Sequence, residues 1–263
     1  MEMASSIGSL DELRESGLDL ERLPGNTAKI RLALDLAQPL RGRPRMRVLD
    51  VGCAGPQPLN LWEPLLPFSD RLDLVGVDVA GLDRVARRAG ELGLALDLVE
   101  ASAVDLSPVQ GTFDAVVSTQ VLEHIPDWRS AVREMARVVA PGGALYITCD
   151  SGEVGRGLAV SARLVGKRLL ARAPGLARTT GLSGEWEAGP LLADLVAEAE
   201  AAGLEVQRAA RYCLRDAKAA QGPAKGRSRA LWLAFEETLA AESGPALDPQ
   251  LWGILYLRAA RPS

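Results

Sequence analysis

Asp50, Asp78 and Ser102 each stand at the end of an apolar run, and the three runs follow one another along the chain. Asp50-Val51-Gly52 closes "MRVLDV", and Ala54 and Gly55 follow in the turn. Asp78, with Val79 after it, closes "LDLVGVD" 23 residues beyond Gly55. Ser102-Ala103 follows "LALDLVE". In a parallel sheet such strand tips gather on one edge. Glycines there let the backbone approach a ligand and present N–H groups at a helix start. A carboxylate on the next tip can accept both hydroxyls of a ribose, and a small polar pair on the third suits an adenine edge. Any one of these residues could instead cap a helix or close a turn. Three in succession point to an adenosine-containing ligand.

The elements needed to position them are legible. Short β-branched runs bounded by turn formers predict strands at 46–51, 72–78, 94–100, 113–118 and 144–149, with two more at 204–214 and 251–260. Helical periodicity predicts helices at 26–38, 60–66, 80–93, 127–139, 190–203 and 228–241, the first capped by Asn26 and the third stopped by Gly93. In the first, Ile30, Ala33, Leu34 and Ala37 share a face, and Pro141-Gly142-Gly143 ends the helix that starts at Asp127. Strand and helix alternate, so the expected fold is α/β: a doubly wound, mainly parallel seven-stranded sheet with helices on both faces. One domain covering 1–263 is the simplest organisation, with 1–45 as an N-terminal helical cap. Residues 151–189 interrupt the rhythm as a helical insertion. Its helix, Arg156 to Arg172, carries Arg163, Lys167 and Arg168 beside an apolar face. Placed near the carboxyl ends of the strands, it suits a lid, although an amphipathic surface helix explains the same pattern.

Bulk composition narrows the function. The net charge of −4 gives no reason to expect nucleic acid as a partner. Three widely spaced cysteines, no CxxC and a single histidine argue against a disulfide framework and a zinc site. No signal peptide or membrane-length apolar run is present, so a cytoplasmic protein is expected.

Two cofactor classes fit the three strand tips, a nicotinamide dinucleotide or S-adenosylmethionine. "GCAGPQP" supplies only Gly52 and Gly55 of a G-x-G-x-x-G fingerprint. The Tyr-x-x-x-Lys pair of short-chain dehydrogenases is absent too, because Asp150, Asp216 and Ala260 stand four residues after the three tyrosines.

From Arg47 to Thr148 the chain resembles the class I S-adenosylmethionine-dependent methyltransferases, in their small-molecule, methyltransferase type 11-like branch. The resemblance is carried by "VLDVGCAG", "VGVDVA", "ASAVDL" and "FDAVVSTQVLEHIPDWRSAVREMARVVAPGGALYIT". It implies that the turn from Asp50 through Gly52, Ala54 and Gly55 holds the methionine moiety and that Asp78, with Val79, binds the ribose. Ser102 and Ala103 would meet the adenine, and Thr119 and Gln120 would border the transferable methyl. The family's turn commonly reads G-x-G-x-G, so Ala54 and Pro56 replace two glycines, and Ser102 stands where an acid is common.

His124, directly after Glu123 in "VLEHIPD", would lie near that methyl and is a candidate general base; the alternative is a loop-ordering residue. Asp150, at the end of the fifth strand, is a second candidate base. No "NPPY"-like run follows the fourth strand, which disfavours methylation of nucleic-acid bases. The expected activity is methyl transfer to a small-molecule acceptor, on oxygen before nitrogen or carbon. The basic insertion suggests an anionic or lipid-like acceptor, and Trp186 would line its pocket or anchor the next helix. The competing readings are an NAD(P)-dependent oxidoreductase and a methyltransferase-like binding module without turnover.

Overall fold

The computed structural model describes residues 4–154, 189–214, 226–243 and 247–263. The apolar run Met46–Val51 forms β1, flanked in parallel by β2 (Leu72–Asp78) and β4 (Phe113–Thr119). β3 (Asp97–Glu100) lies outside β2, and β5 (Val139–Asp150) lies outside β4. With β6 (Glu205–Leu214) and β7 (Trp252–Ala260) the sheet has the order β3-β2-β1-β4-β5-β7-β6, and β7 runs antiparallel to both neighbours. This is the doubly wound, mainly parallel seven-stranded sheet expected. The chain leaves β1 on one side and returns on the other through β4. A crevice therefore opens at the carboxyl ends of β1 and β4, where such sheets bind ligands.

Alternation along β1 divides the core. Val48 packs with α1 (Ala4–Glu15), α2 (Thr27–Gly42) and α3 (Leu82–Leu92), whereas Leu49 and Val51 pack with α4 (Trp128–Arg137) and α5 (Leu192–Ala201). Asp50 thus shares the α2 face with Val48. A last helix, α6 (Ser228–Ser243), adds Leu233 to the α2 side. Among the described residues no helix is long and apolar enough to cross a membrane.

α2 is buried well beyond the apolar face that its periodicity predicts, and Lys29, Arg31 and Asp35 are enclosed too. Arg31 donates to both oxygens of Glu12 at 2.9 and 2.8 Å and to Asp35 at 2.5 Å. The Tyr256 hydroxyl donates to the other Asp35 oxygen at 2.5 Å. Paired in this way, the charges meet partners where isolated burial would be costly.

Three of the differences from the periodicity reading have a local cause. Leu94 donates its N–H to Ala89 O to finish α3, so the third strand begins only at Asp97. Pro64 and Pro67 lack N–H donors, and residues Glu63–Arg71 form 3-10 turns instead of an α-helix. Pro141-Gly142-Gly143 falls inside β5, because Gly142 and Gly143 pair with Arg261 through backbone bonds of 3.0 and 2.9 Å.

Candidate functional site

The turn after β1 is built on Gly52. Its φ of +82° suits glycine, and a Cβ there would lie 2.2 Å from Val121 Cγ2. The N–H groups of Gly52 and Cys53 both donate to Val77 O, at 2.8 and 3.2 Å, which fixes the turn to β2. A cavity of about 260 Å³ opens beside it, lined by Lys29, Asp50, Gly52, Gly55, Thr119 and Gln120, among others. Asp50 accepts the Trp62 indole N–H at 2.7 Å, and burial still pushes its carboxyl up to about 6. The Trp62 bond and the Lys29 charge oppose that rise. Lys29 reaches the cavity from the first turn of α2 and donates to Asn60 Oδ1 at 3.2 Å. Burial lowers its affinity for a proton, and the carboxylates of Asp50 and Glu123 work against that shift.

The expected ribose and adenine residues lie beyond this cavity. Asp78 Oδ2 accepts the Ala54 N–H at 2.9 Å, and Oδ1 accepts the Val79 N–H at 2.8 Å. Ala54 therefore stands between the cavity and the carboxylate of the second strand tip. Val79 is 61% exposed. Ser102 pairs with Asp105 in an isolated bridge, its hydroxyl accepts the Val104 N–H at 3.4 Å, and Ala103 is buried beside it. The Ala101 N–H donates to Asp78 O at 3.2 Å, tying the third tip to the second.

On the other side, Gln120 takes a left-handed φ of +58° and donates its N–H to Thr148 O at 2.6 Å. Its side chain lies between Asn26 Nδ2, at 3.5 Å from Oε1, and Asp150 Oδ1, at 3.4 Å from Nε2. Asp150 is thereby joined to a cavity-lining residue. His124 ends the 3-10 turn Leu122–His124, is exposed, and is not among the residues lining the cavity. Its neighbour Glu123 is buried, and its Oε2 has no hydrogen-bond partner among the described residues. Burial and the nearby Asp150 carboxylate push Glu123 up to about 8.

The structure thus brings Asp50, Gly52, Gly55, Thr119 and Gln120 together around the cavity, with Ala54 and Asp78 at its edge. Ser102 and Ala103 sit one strand further out, and His124 stands apart. Lys29, Asn60, Trp62 and the enclosed Glu123 are the additions. A lysine that shares the α2 face with Ala33 and Leu36 was the available signal for the first of these. The basic helix expected at 156–172 and Trp186 lie outside the described residues.

A known family and several known proteins resemble the part of the chain that carries these strand tips. The family described as methyltransferase domain matches residues 49–147, which run from β1 into β5 and include the glycine turn, Asp78 and Gln120. These residues are a class I S-adenosylmethionine-dependent methyltransferase domain. The methyltransferase domain is similar in sequence to a ubiquinone biosynthesis O-methyltransferase of Ralstonia nicotianae, 36% identical over 128 residues. That match covers 44% of this chain and 48% of the relative. The namesake from Azorhizobium caulinodans is 31% identical over 175 residues, covering 66% of this chain and 63% of the relative. The chain spans about half the length of most of these relatives. In fold it resembles the [4+2]-cyclase SpnF, with a TM-score of 0.52 and 24% identity over 88% of this chain and 80% of that one. It also resembles the magnesium protoporphyrin IX methyltransferase of Synechocystis PCC 6803, with a TM-score of 0.52 and 14% identity over 89% and 81%.

Proposed function

We propose that this chain catalyses S-adenosylmethionine-dependent methyl transfer to a hydroxyl of a small molecule, in a reducing compartment such as the cytoplasm. The observation that carries the reading is the pairing, around one cavity, of a buried ammonium (Lys29) and a buried carboxylate (Asp50) at the glycine turn. An α-amino acid presents the complementary pair. The Lys29 ammonium suits its carboxylate, and the Asp50 carboxyl suits its ammonium. Asp78, at the next tip, has the acceptor chemistry for two ribose hydroxyls once it exchanges its bonds to the turn. Ser102 and Ala103 would border the adenine, and Thr119 and Gln120 would border the reacting end.

When bound, the cofactor supplies a methyl group already activated by its sulfonium. The chain's own task is alignment, which in favourable cases is worth about 7–11 kcal/mol. A hydroxyl acceptor must also lose a proton. We assign its destination to Asp150, which Gln120 ties to the cavity, in preference to the exposed His124. The sequence relatives named as O-methyltransferases support oxygen as the acceptor atom. The basic stretch 156–172 supports an anionic or lipid-like acceptor. All three cysteines are free, which supports the reducing compartment.

Calorimetric titration with S-adenosylhomocysteine tests the reading. Saturable binding by the wild type, weakened at least tenfold by Asp78→Ala, is the expected result. A wild type that shows no binding would overturn it.

A further inference from the structure

α6 turns one acidic side chain inward. Glu236 is 1% exposed, and a buried carboxylate is costly unless hydrogen bonds replace its water. Here donors from two distant segments meet it. The Thr27 hydroxyl donates to Oε2 at 2.5 Å, the Cys213 N–H donates to the same oxygen at 2.8 Å, and the Leu214 N–H donates to Oε1 at 3.0 Å. Cys213 adopts a left-handed φ of +59°, a conformation that L-residues other than Asn and Asp rarely take. Its N–H and the next one both point at the same carboxylate, the arrangement of an anion-binding nest.

The other end of this clamp is the first turn of α2. Asn26 caps that helix, its Oδ1 accepting the Lys29 N–H at 3.3 Å and the Cys213 thiol at 3.2 Å. Asn26 also donates to Gln120, and Lys29 projects into the cavity from the same turn. One carboxylate therefore fixes the end of β6 and the start of α2 together. That start delivers Lys29 to the cofactor cavity and Asn26 to Gln120. All of these parts except Gln120 lie outside the matched residues 49–147.

We propose that Glu236 is a positioning residue: by clamping Thr27 and Cys213 it holds Lys29 at the cofactor cavity and so sets cofactor affinity. Glu236 is not among the residues lining that cavity. The inference rests on the cofactor reading above, because Lys29 matters only if an anionic group binds beside it.

The test is a double-mutant cycle read by S-adenosylhomocysteine titration, with folding checked by thermal melts. The proteins are the wild type, Glu236→Gln, Thr27→Val, Lys29→Met and the two doubles with Lys29→Met. Glu236→Gln should weaken binding about fivefold, and Thr27→Val about two- to threefold. In the Lys29→Met background, itself about tenfold weaker, each further loss should fall below about twofold, because the residue being positioned is gone. Additive losses would mean that Glu236 acts by general stability and would overturn the proposal. Wild-type affinity in a folded Glu236→Gln would do the same. If Glu236→Gln does not fold, the Thr27→Val cycle decides by the same criterion. A wild type that fails to bind at all overturns the cofactor reading and this inference with it, whereas binding with additive losses overturns this inference alone.

Discussion

The Trp62 indole N–H donates to the Asp50 carboxylate over 2.7 Å, with both side chains enclosed at the root of the glycine turn. That bond stabilises the charged form of a carboxyl that burial has pushed up to about 6. Trp62→Phe keeps the ring and removes the donor, so the carboxyl should rise further. Its folded value already exceeds its unfolded one, so this group's contribution to stability falls as pH rises from about 4 through 6. The variant should lose about 1–3 kcal/mol relative to wild type at pH 7.5 and less at pH 5, where the wild-type group is mostly protonated. Urea unfolding at the two pH values measures the difference. An equal loss at both would mean that only packing was disturbed.

Much of this arrangement is legible in the sequence because strand periodicity and turn residues are local signals. The runs expected at 46–51, 72–78 and 113–118 all form strands, and their alternation with helices gives the parallel core of the sheet. Lys29 and Glu236 are harder to read. Glu236 looks like a surface residue on an amphipathic helix, and Lys29, although it shares a face with Ala33 and Leu36, carries a charge that ordinarily stays in water; only the packing of α2 against the sheet and α6 encloses them. Glu123 is similar: nothing local distinguishes a solvated acid after a strand from one enclosed beside Asp150. Ala54 shows the opposite case. The family pattern makes it look like a defect, yet its backbone is not left-handed, and its N–H does a useful job at Asp78.

Glu123 should make the protein's stability depend on pH in an unusual direction. Burial and Asp150 hold its carboxyl near 8, above the ordinary glutamate value of 4.5. Between those values the folded state binds more protons than the unfolded one, so this group's contribution is lost as pH rises. From pH 6 to pH 8 the wild type should lose up to about 2 kcal/mol on this account. Glu123→Gln keeps the shape of the protonated side chain and should flatten that slope, with a higher melting temperature than wild type at pH 8. Parallel slopes for the two proteins would show that Glu123 is ionised in the fold.

Asp150 and His124 can be separated by turnover. If the acceptor's proton passes to Asp150, Asp150→Asn should reduce the rate about 100-fold or more, while S-adenosylhomocysteine affinity changes less than about threefold. His124→Ala, which alters an exposed side chain, should retain at least about half of the wild-type rate. Single-turnover rates with a methyl-accepting phenol, measured beside calorimetry, provide both quantities. A large rate loss in His124→Ala with affinity intact would move the base from Asp150 to the histidine.

The glycine turn should respond in opposite ways at its two small residues. At Gly52 a Cβ would lie 2.2 Å from Val121 Cγ2, and the φ of +82° is one that alanine resists. Relief requires Val121 to move, and Val121 directly follows the cavity-lining Gln120 in the chain. Gly52→Ala should therefore weaken S-adenosylhomocysteine binding at least tenfold and destabilise the fold by about 1–3 kcal/mol. Ala54 has a φ open to any residue, and only its N–H contacts Asp78. Ala54→Gly restores the glycine that related turns carry but leaves that contact in place. Affinity should change less than about twofold, with stability lower by a few tenths of a kcal/mol from added backbone freedom. A tenfold gain in affinity on Ala54→Gly would show instead that the alanine methyl narrows the cofactor's path across the turn.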